Sequence, residues 1–165
     1  MTICKKMQDA FNAQIEKEFW SSNLYLEMAF WFRARGWKGF ATWMFKQSEE
    51  EREHAMEMAK FVLSRGGEAK VTAIEKVPTE FECPKSVFEI TYKHEQEVTE
   101  LINKLADVAD DEKDRASANF ISNSSMSRWK RKKLLRTYSI ALQSMGIMQS
   151  ELLTITLAKW NKTFL

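Results

Sequence analysis

Helix-breaking residues are scarce along this chain, and their positions divide it into a few long segments. The 165 residues include only 5 Gly and 2 Pro, whereas an all-β sandwich or barrel needs many tight turns and usually builds them with these residues. Between the breaks, apolar residues recur broadly at every third or fourth position, which is the period of an amphipathic helix. The sequence therefore predicts an all-α fold of long helices in a single domain.

The first half of the chain predicts two long helices separated by a short break. We expect helix A over residues 7–35, where the apolar period is continuous. Gly36 and Gly39 interrupt the pattern, which then resumes as helix B. Gly66 and Gly67 suit the carboxyl end of helix B, because glycine readily adopts the left-handed conformation that ends many helices.

The second half predicts one long connection and two further helices. Residues 68–84 show no helical period and are long enough to cross the length of a bundle, so we expect an extended crossover. Helix C is expected over residues 87–109, and helix D from near Lys113. The polar turn between them offers three candidates for the N-cap of helix D: Asp110, Asp111 and Asp114. Long helices with one crossover between B and C are typical of a four-helix bundle.

Charge is distributed very unevenly along the sequence. The formal net charge is +2 at pH 7, yet residues 1–120 hold 22 acids and 17 bases, a net of −5. Residues 121–165 hold 8 bases and the single acid Glu151, a net of +7. The composition changes at one point with no linker there, so the last 45 residues differ in kind from the body of the chain.

Neither a membrane span nor an export signal is expected. The amino-terminal sequence MTICKKMQDAF has no apolar run, and nothing downstream approaches the roughly 18 apolar residues of a membrane helix. Cys4 and Cys83 have no nearby Cys-x-x-Cys partner, which argues against a disulfide framework and against a zinc knuckle. We therefore expect a soluble protein of the reducing cytoplasm.

Acidic residues on three predicted helices suggest a metal site. Glu51 and His54 on helix B are three positions apart and share a face, although Glu50 and His54 form an alternative pair. Alone this motif is weak, because Glu-rich helix faces are usually solvated. Glu18 on helix A and Glu95 on helix C have apolar neighbours, where a charge is costly unless it is paired or metal-bound. A Glu, a Glu-x-x-His and another Glu on successive helices make up the ligand inventory of carboxylate-bridged di-iron bundles.

The segments that carry these residues resemble the non-haem ferritins of bacteria and archaea. The matching segments are EKEFWSSNLYLEM, GFATWM with KQSEEEREHA, RGG with AKVTAIEKVP, VFEITYKHEQEVT and DEKDRASANF, which together cover residues 1–120. The resemblance implies a ferritin-like four-helix bundle with a long B–C crossover and room for a short C-terminal helix. It also implies a hollow homo-oligomeric shell of 24 subunits that oxidises Fe(II) with oxygen or peroxide and stores ferric mineral.

The resemblance also implies roles for individual residues in catalysis and metal binding. Glu18, Glu51 and His54 correspond to the ligands of one iron, with Glu51 bridging to a second iron that Glu95 also holds. Glu50 resembles the acid that contributes to a neighbouring third site. Carboxylate oxygens with one imidazole suit both Fe(II) and Fe(III), and bridging carboxylates hold two ions close enough for a two-electron step.

Three further features of the sequence have simpler interpretations. Tyr25 resembles the tyrosine beside the family's iron site, but a core tyrosine at a helix interface is an equally good interpretation. His94 is expected to be structural or exposed, because its neighbour Glu95 points about 100° away on a helix. The 9 Met and 6 Trp are more typical of core packing than of a cofactor site, and no haem is expected.

The resemblance ends near residue 120, where helix D should complete the iron sites. In register, the Glu, Gln and Glu that the family places there fall on Ser127, Arg128 and Lys130. Cations repel Fe(II) and cannot ligate it. Ferroxidase activity is therefore implied by the family, while the ligands of helix D that support it are missing.

A change of reading frame explains this departure. When each codon is read from its third base, Trp129 followed by Lys130 must give Glu. Permitted codons for residues 123–133 give a run that begins Phe-Val-Asp-Glu-Gln-Val-Glu-Glu-Glu, the sequence expected for helix D. We therefore interpret the chain from about Ile121 onward as a frameshifted reading of a ferritin gene. The alternative is a genuine tail that has diverged and become basic.

Three functions can be compared for this sequence, and iron storage is favoured. A ferritin-like structural or nucleic-acid-binding shell subunit, with an impaired ferroxidase centre, is the alternative suggested by the basic residues 128–133. Nucleic acid is the weaker expectation, because basic clusters of this size are commonly just solvated. A rubrerythrin-like peroxidase would need a second Glu-x-x-His on helix D and usually a Cys-rich module, and the sequence has neither.

Overall fold

The computed structural model describes residues 2–122, which form helices joined by short turns and one long connection. The long helices are α1 (Lys5–Ala34), α2 (Lys38–Ser64) and α3 (Pro84–Asp111), and helical residues 115–122 begin the fourth. No strand occurs among residues 2–122. The prediction of an all-α four-helix bundle is confirmed, whereas the frameshifted or diverged tail lies almost wholly outside the described residues.

Two contacts, one at each end of the helices, define the direction of α3 relative to α1. The rings of Phe32 and Phe88, near the end of α1 and the start of α3, have centroids 5.9 Å apart. At the opposite end, Lys6 Nζ lies 3.2 Å from Glu112 Oε1. The helices α1 and α3 are therefore antiparallel. Since the short turn 35–37 makes α2 antiparallel to α1, α2 and α3 run the same way, and the segment between them must travel the length of the bundle.

One type of backbone turn ends all three long helices. The residue after each C-cap has a positive φ, which is 82° at Gly36, 69° at Gly66 and 53° at Lys113. The next amide donates to a carbonyl five residues back: Trp37 to Phe32, Gly67 to Val62 and Asp114 to Ala109, at 3.0, 3.0 and 2.8 Å.

Gly39, which the sequence pattern assigns to the first break, lies in the first turn of α2. That expectation is wrong, because the one left-handed residue Gly36 is enough to end α1.

Polar side chains spaced four residues apart on α1 hold the crossover in place. One helical turn of four residues advances roughly 6 Å, and two extended residues advance roughly 6.6 Å, so the two registers match. The contacts are Glu68 N–H to Gln8 Oε1 at 2.9 Å, Lys70 N–H to Asn12 Oδ1 at 2.8 Å and Thr72 Oγ1 to Glu16 Oε2 at 3.0 Å. The extended crossover predicted from the sequence is confirmed.

The turn into the fourth helix is closed by Asp114, one of the three predicted N-cap candidates. Its carboxylate accepts hydrogen bonds from the Ser117 amide at 3.2 Å and the Ser117 hydroxyl at 2.9 Å. Arg65, at the end of α2, donates to both oxygens at 3.1 Å. Burial alone would raise the pKa of Asp114, but the hydrogen bonds from Arg65 and Ser117 outweigh burial and lower that pKa from 3.8.

We expect Asp114→Ala to lower the free energy of unfolding by about 1 to 2 kcal/mol, since it removes an N-cap and a partly buried ion pair. Because the pKa of Asp114 is lower in the folded chain, its contribution is complete above the unfolded pKa of about 4 and is lost as the pH falls through the folded pKa. Thermal unfolding at pH 7 and pH 3 measures both effects. Asp107→Ala, at an exposed position of α3, is the control, and an equally small effect of the two variants at pH 7 would contradict this prediction.

The interior of the bundle consists of two apolar clusters with a polar layer between them. One cluster surrounds Phe32, Phe40 and Phe88, and the other surrounds Phe11 and Ile102. The polar layer comprises the buried residues Gln14, Glu18, Ser21, Ser22, Gln47, Ser48, Glu51, Thr91, His94 and Glu95. Burying so many polar groups costs stability unless each finds a partner. This layer is therefore the natural place to look for a functional site.

Candidate metal centre

Three of the predicted ligands meet in the polar layer. Ligand atoms of Glu18, Glu51 and His54 all lie within 4.8 Å of one another. His54 Nδ1 is 3.2 Å from Glu51 Oε2 and 3.7 Å from Glu18 Oε2. Two atoms that each lie about 2.1 Å from one ion are roughly 3 to 4 Å apart, so these separations fit a single metal ion.

The geometry of α2 decides between the two pairings that the sequence leaves open. Glu51 and His54 are one helical turn apart and in contact. Glu50 is half-buried, accepts a hydrogen bond from Gln47 Nε2 at 3.0 Å and does not belong to the three-residue group with Glu18. The structure therefore supports the pair Glu51 and His54, and the third-site role of Glu50 stays a prediction.

The carboxylates of this layer are almost completely removed from water. The exposed fractions of Glu18, Glu51 and Glu95 are 0, 1 and 2%. Carboxylates buried in one layer repel one another, and each loses its hydration. The side chain of His54 is 19% exposed, which places it at the edge of the group. A bound cation would offset both costs, so the donor set fits a hard or borderline divalent ion such as Fe(II).

Glu95 is connected to α1 through Tyr25. The Tyr25 hydroxyl donates to Glu95 Oε1 at 2.5 Å, and both side chains are buried. Glu95 Oε2 has no hydrogen-bond partner among residues 2–122. Glu95 is not a member of the three-residue group, and its role at a second iron stays a prediction. Tyr25 lies in the core and also contacts a predicted ligand. Its position therefore fits both interpretations, a core tyrosine and a tyrosine beside the site.

His94 is a buried structural residue, one of the two roles expected for it. Its Nε2 lies 2.8 Å from Ser21 Oγ and so connects α3 to α1. Its ring packs against Trp20 and Tyr25, with centroids 5.2 and 6.0 Å apart. Although it neighbours Glu95 in sequence, its imidazole is hydrogen-bonded to Ser21 and is not part of the ligand group.

Gln14 is a residue of the site that the sequence analysis missed. It is buried, and its Nε2 donates to Glu18 Oε1 at 2.7 Å. The available signal was its spacing: Gln14 precedes Glu18 by one helical turn on the face that carries Phe11 and Ile15 into the core. The positions that replace the helix D ligands, Ser127, Arg128 and Lys130, lie outside the described residues.

The fold and the site together define a class of protein. Residues 8–138 match the family model of the ferritin-like domain, and this chain belongs to that family. No helix within residues 2–122 is both long enough and apolar enough to cross a membrane. The resemblance to bacterial and archaeal non-haem ferritins, first indicated by the motifs of residues 1–120, is confirmed.

Particular relatives make the assignment more specific. The bacterial non-heme ferritin of Bacteroides fragilis (strain 638R) is 50% identical over 119 residues, which are 72% of this chain and 75% of that protein. A probable bacterial non-heme ferritin-like protein of Haemophilus influenzae is 36% identical over 110 residues, 67% of each chain. The open pore ferritin of Archaeoglobus fulgidus superposes with a TM-score of 0.91 and 37% identity, covering 94% of this chain and 96% of that one.

Proposed function

We propose that this chain is a ferritin subunit that binds Fe(II) at a di-iron centre, oxidises it and stores the ferric product as mineral in a shell. The observation that carries the proposal is the meeting of Glu18, Glu51 and His54 in a buried polar layer of a ferritin-like bundle. Iron is the substrate of this reaction and the cargo of the shell.

The residues of the polar layer have distinct roles in this proposal. Glu18 and His54 hold one iron, Glu51 bridges to a second, and Glu95 holds that second iron. Each bound Fe(II) gives up one electron to oxygen or peroxide. The buried carboxylates favour the higher charge of Fe(III), because negative oxygen ligands stabilise a trivalent ion more than a divalent one. Glu50, beside the centre on α2, would hold iron in a third position.

Tyr25 has a supporting role in the same proposal. Its hydroxyl donates a hydrogen bond to Oε1 of Glu95, so Oε2 is the oxygen that would bind the ion. The hydrogen bond fixes the carboxylate in one orientation before iron arrives, and such outer contacts commonly tune metal sites. The site would therefore be partly formed in the empty protein.

The assembly, the oxidant and the location belong to the same proposal. The solved relative from Archaeoglobus fulgidus is a ferritin with open pores, and a shell of 24 copies of this chain, in the cytoplasm, is the arrangement we propose. Oxygen or peroxide is the proposed oxidant, and no haem takes part.

A second candidate function is a shell subunit whose ferroxidase centre is impaired. It is favoured by Arg128 and Lys130, which stand where the family places metal-side Gln and Glu. In that case the chain would contribute to the shell and hold mineral, while oxidation depended on other subunits or on the mineral surface. Binding of nucleic acid by the basic residues 128–133 is the less favoured form of this alternative.

The proposal predicts that iron added in air stays with the protein in excess of what the ligand residues can hold. The purified chain is mixed with Fe(II) in air, separated by size exclusion and analysed for iron and protein. A storage protein elutes with far more iron per subunit than two or three ligand sets could bind. Iron that never exceeds those sets would contradict storage, and iron that separates from the protein altogether would contradict the site as well.

A further inference from the structure

We propose that Gln14 is a positioning residue of the metal centre, which holds Glu18 so that only its Oε2 is presented to the ion. This inference rests on the proposed function, because it assigns a role within the same site. Gln14 touches Glu18 and is not itself a ligand.

The two carboxylate oxygens of Glu18 have different neighbours. Gln14 Nε2 donates to Oε1 at 2.7 Å, while Oε2 lies 3.7 Å from His54 Nδ1. One oxygen therefore faces back along α1 and the other faces the ligand group. Gln14 is only 4% exposed, so its amide is held by the surrounding core. With Oε1 occupied, Glu18 offers a single oxygen to a metal ion and loses little conformational freedom when it binds.

The chemistry of an amide suits this role better than that of a cation. A hydrogen bond to a carboxylate is strengthened by the carboxylate charge, yet Gln14 adds no positive charge of its own. A Lys or Arg at this position would hold the carboxylate equally well but would repel Fe(II). The same arrangement occurs at Glu95, whose Oε1 accepts from the neutral hydroxyl of Tyr25. Two carboxylates of the layer, on α1 and α3, are thus each held by a neutral donor from α1.

Gln14 also borders a groove between α1 and α3. The groove has a volume of about 220 Å³, and its other walls include Ala10, Ala13, Leu101 and Leu105. Its side chain is the part of this groove that contacts Glu18. Shortening it would therefore remove the hydrogen bond to Oε1 and open the buried carboxylate toward the groove at the same time.

The test is binding of Co²⁺ to the purified full-length chain without oxygen, read from the visible absorption spectrum of the bound ion. The Co²⁺ absorption that is lost in the Glu18→Gln variant is taken as the signal of ions bound at the centre. We expect Gln14→Met, which keeps the length but cannot donate, to weaken this binding about 10- to 100-fold and to change the spectrum, as is typical for contacts that orient a ligand. Gln14→Asn, whose amide is one carbon too short to reach Oε1, should also weaken Co²⁺ binding. It replaces the Met variant in the test if that variant does not fold.

Thr91→Val is the matched control. Thr91 is fully buried in the same layer, and its hydroxyl donates to the Val87 carbonyl at 2.9 Å. Its loss removes this hydrogen bond and a weaker one to Met28 Sδ at 3.4 Å without touching Glu18, so the melting temperature should fall while Co²⁺ binding stays the same. Folded Gln14 variants that bind Co²⁺ within twofold of the original chain would overturn the role of Gln14 and leave the centre intact. A signal that does not depend on Glu18 would overturn the centre itself and Gln14 with it.

Discussion

Glu51→Gln should lower the initial rate of Fe(II) oxidation by roughly 100-fold or more, the largest effect of any single substitution in this chain. Glu51 is the proposed bridge, so the change removes a negative charge from both iron positions at once. A unit charge about 4 Å from another contributes on the order of 4 kcal/mol at an effective dielectric constant of 20, and about 1.4 kcal/mol corresponds to a factor of ten. The measurement is the initial rate of ferric absorbance in stopped flow, with oxygen consumption recorded in parallel.

Glu53→Gln makes the same chemical change two residues away and is the matched control. Glu53 lies on α2 but is exposed, so its charge is screened by water and its loss should leave the rate almost unchanged. Folding of both variants is compared by circular dichroism. If Glu51→Gln and Glu53→Gln oxidise iron equally fast, the bridge is wrongly assigned.

A chain that carries the alternative-frame sequence from residue 121 onward should oxidise Fe(II) faster than the chain as it stands. It restores the acidic and amide side chains of helix D where Ser127, Arg128 and Lys130 now stand. Each nearby cation opposes a divalent ion by about 1 kcal/mol or more even in well-screened surroundings. Initial rates are compared at matched shell concentration. Arg128→Gln with Lys130→Glu in the present chain is the intermediate variant, and equal rates for all three would contradict this prediction.

The same exchange of sequence should also raise the heat resistance of the assembly. Ser and Asn in residues 122–127 carry little apolar area. Each buried aliphatic or aromatic side chain that they replace contributes roughly 1.5 to 3 kcal/mol, against a total stability of about 5 to 15 kcal/mol. Size-exclusion chromatography with light scattering, before and after heating, compares the two chains. A homogeneous and equally heat-resistant shell from the present chain would show that its tail is a functional helix D.

Those outcomes, together with the gene sequence across codons 115–135, decide between a frameshift and a diverged tail. The relative from Bacteroides fragilis matches over 119 residues, about the length of the segment that carries the resemblance. We propose that the single domain consists of a ferritin-like body in residues 1–120 followed by residues translated in a shifted frame. The frameshift could arise in the gene or in its sequencing, and resequencing that finds the same frame in independent isolates would exclude a sequencing error.

The helices could be predicted from the sequence because their ends depend on local chemistry. Gly36 and Gly66 adopt the positive φ that glycine reaches without steric cost, so the composition points directly to those ends. Lys113 adopts the same conformation, but lysine carries no such signal. The end of α3 was placed only approximately for that reason, since the turn there is imposed by Asp114 and its contact with Arg65.

The site was only partly predictable because its members depend on contacts between helices. Glu51 and His54 lie on one helix, where spacing alone brings them together. The approach of Glu18 follows from packing of α1 on α2, and the family resemblance indicated it. No periodicity could show that Glu95 is held by Tyr25. Gln14 was missed because a buried glutamine has the same local pattern as an exposed one until the core is assembled.

The most direct test of the proposed iron centre is to locate iron in crystals of the full-length chain grown without oxygen and soaked in Fe(II), using anomalous scattering at the iron edge. We expect an ion about 2.1 Å from Glu18 Oε2, a Glu51 oxygen and His54 Nδ1, with Gln14 still hydrogen-bonded to Glu18 Oε1. An empty polar layer, with iron bound only at exposed carboxylates, would contradict it.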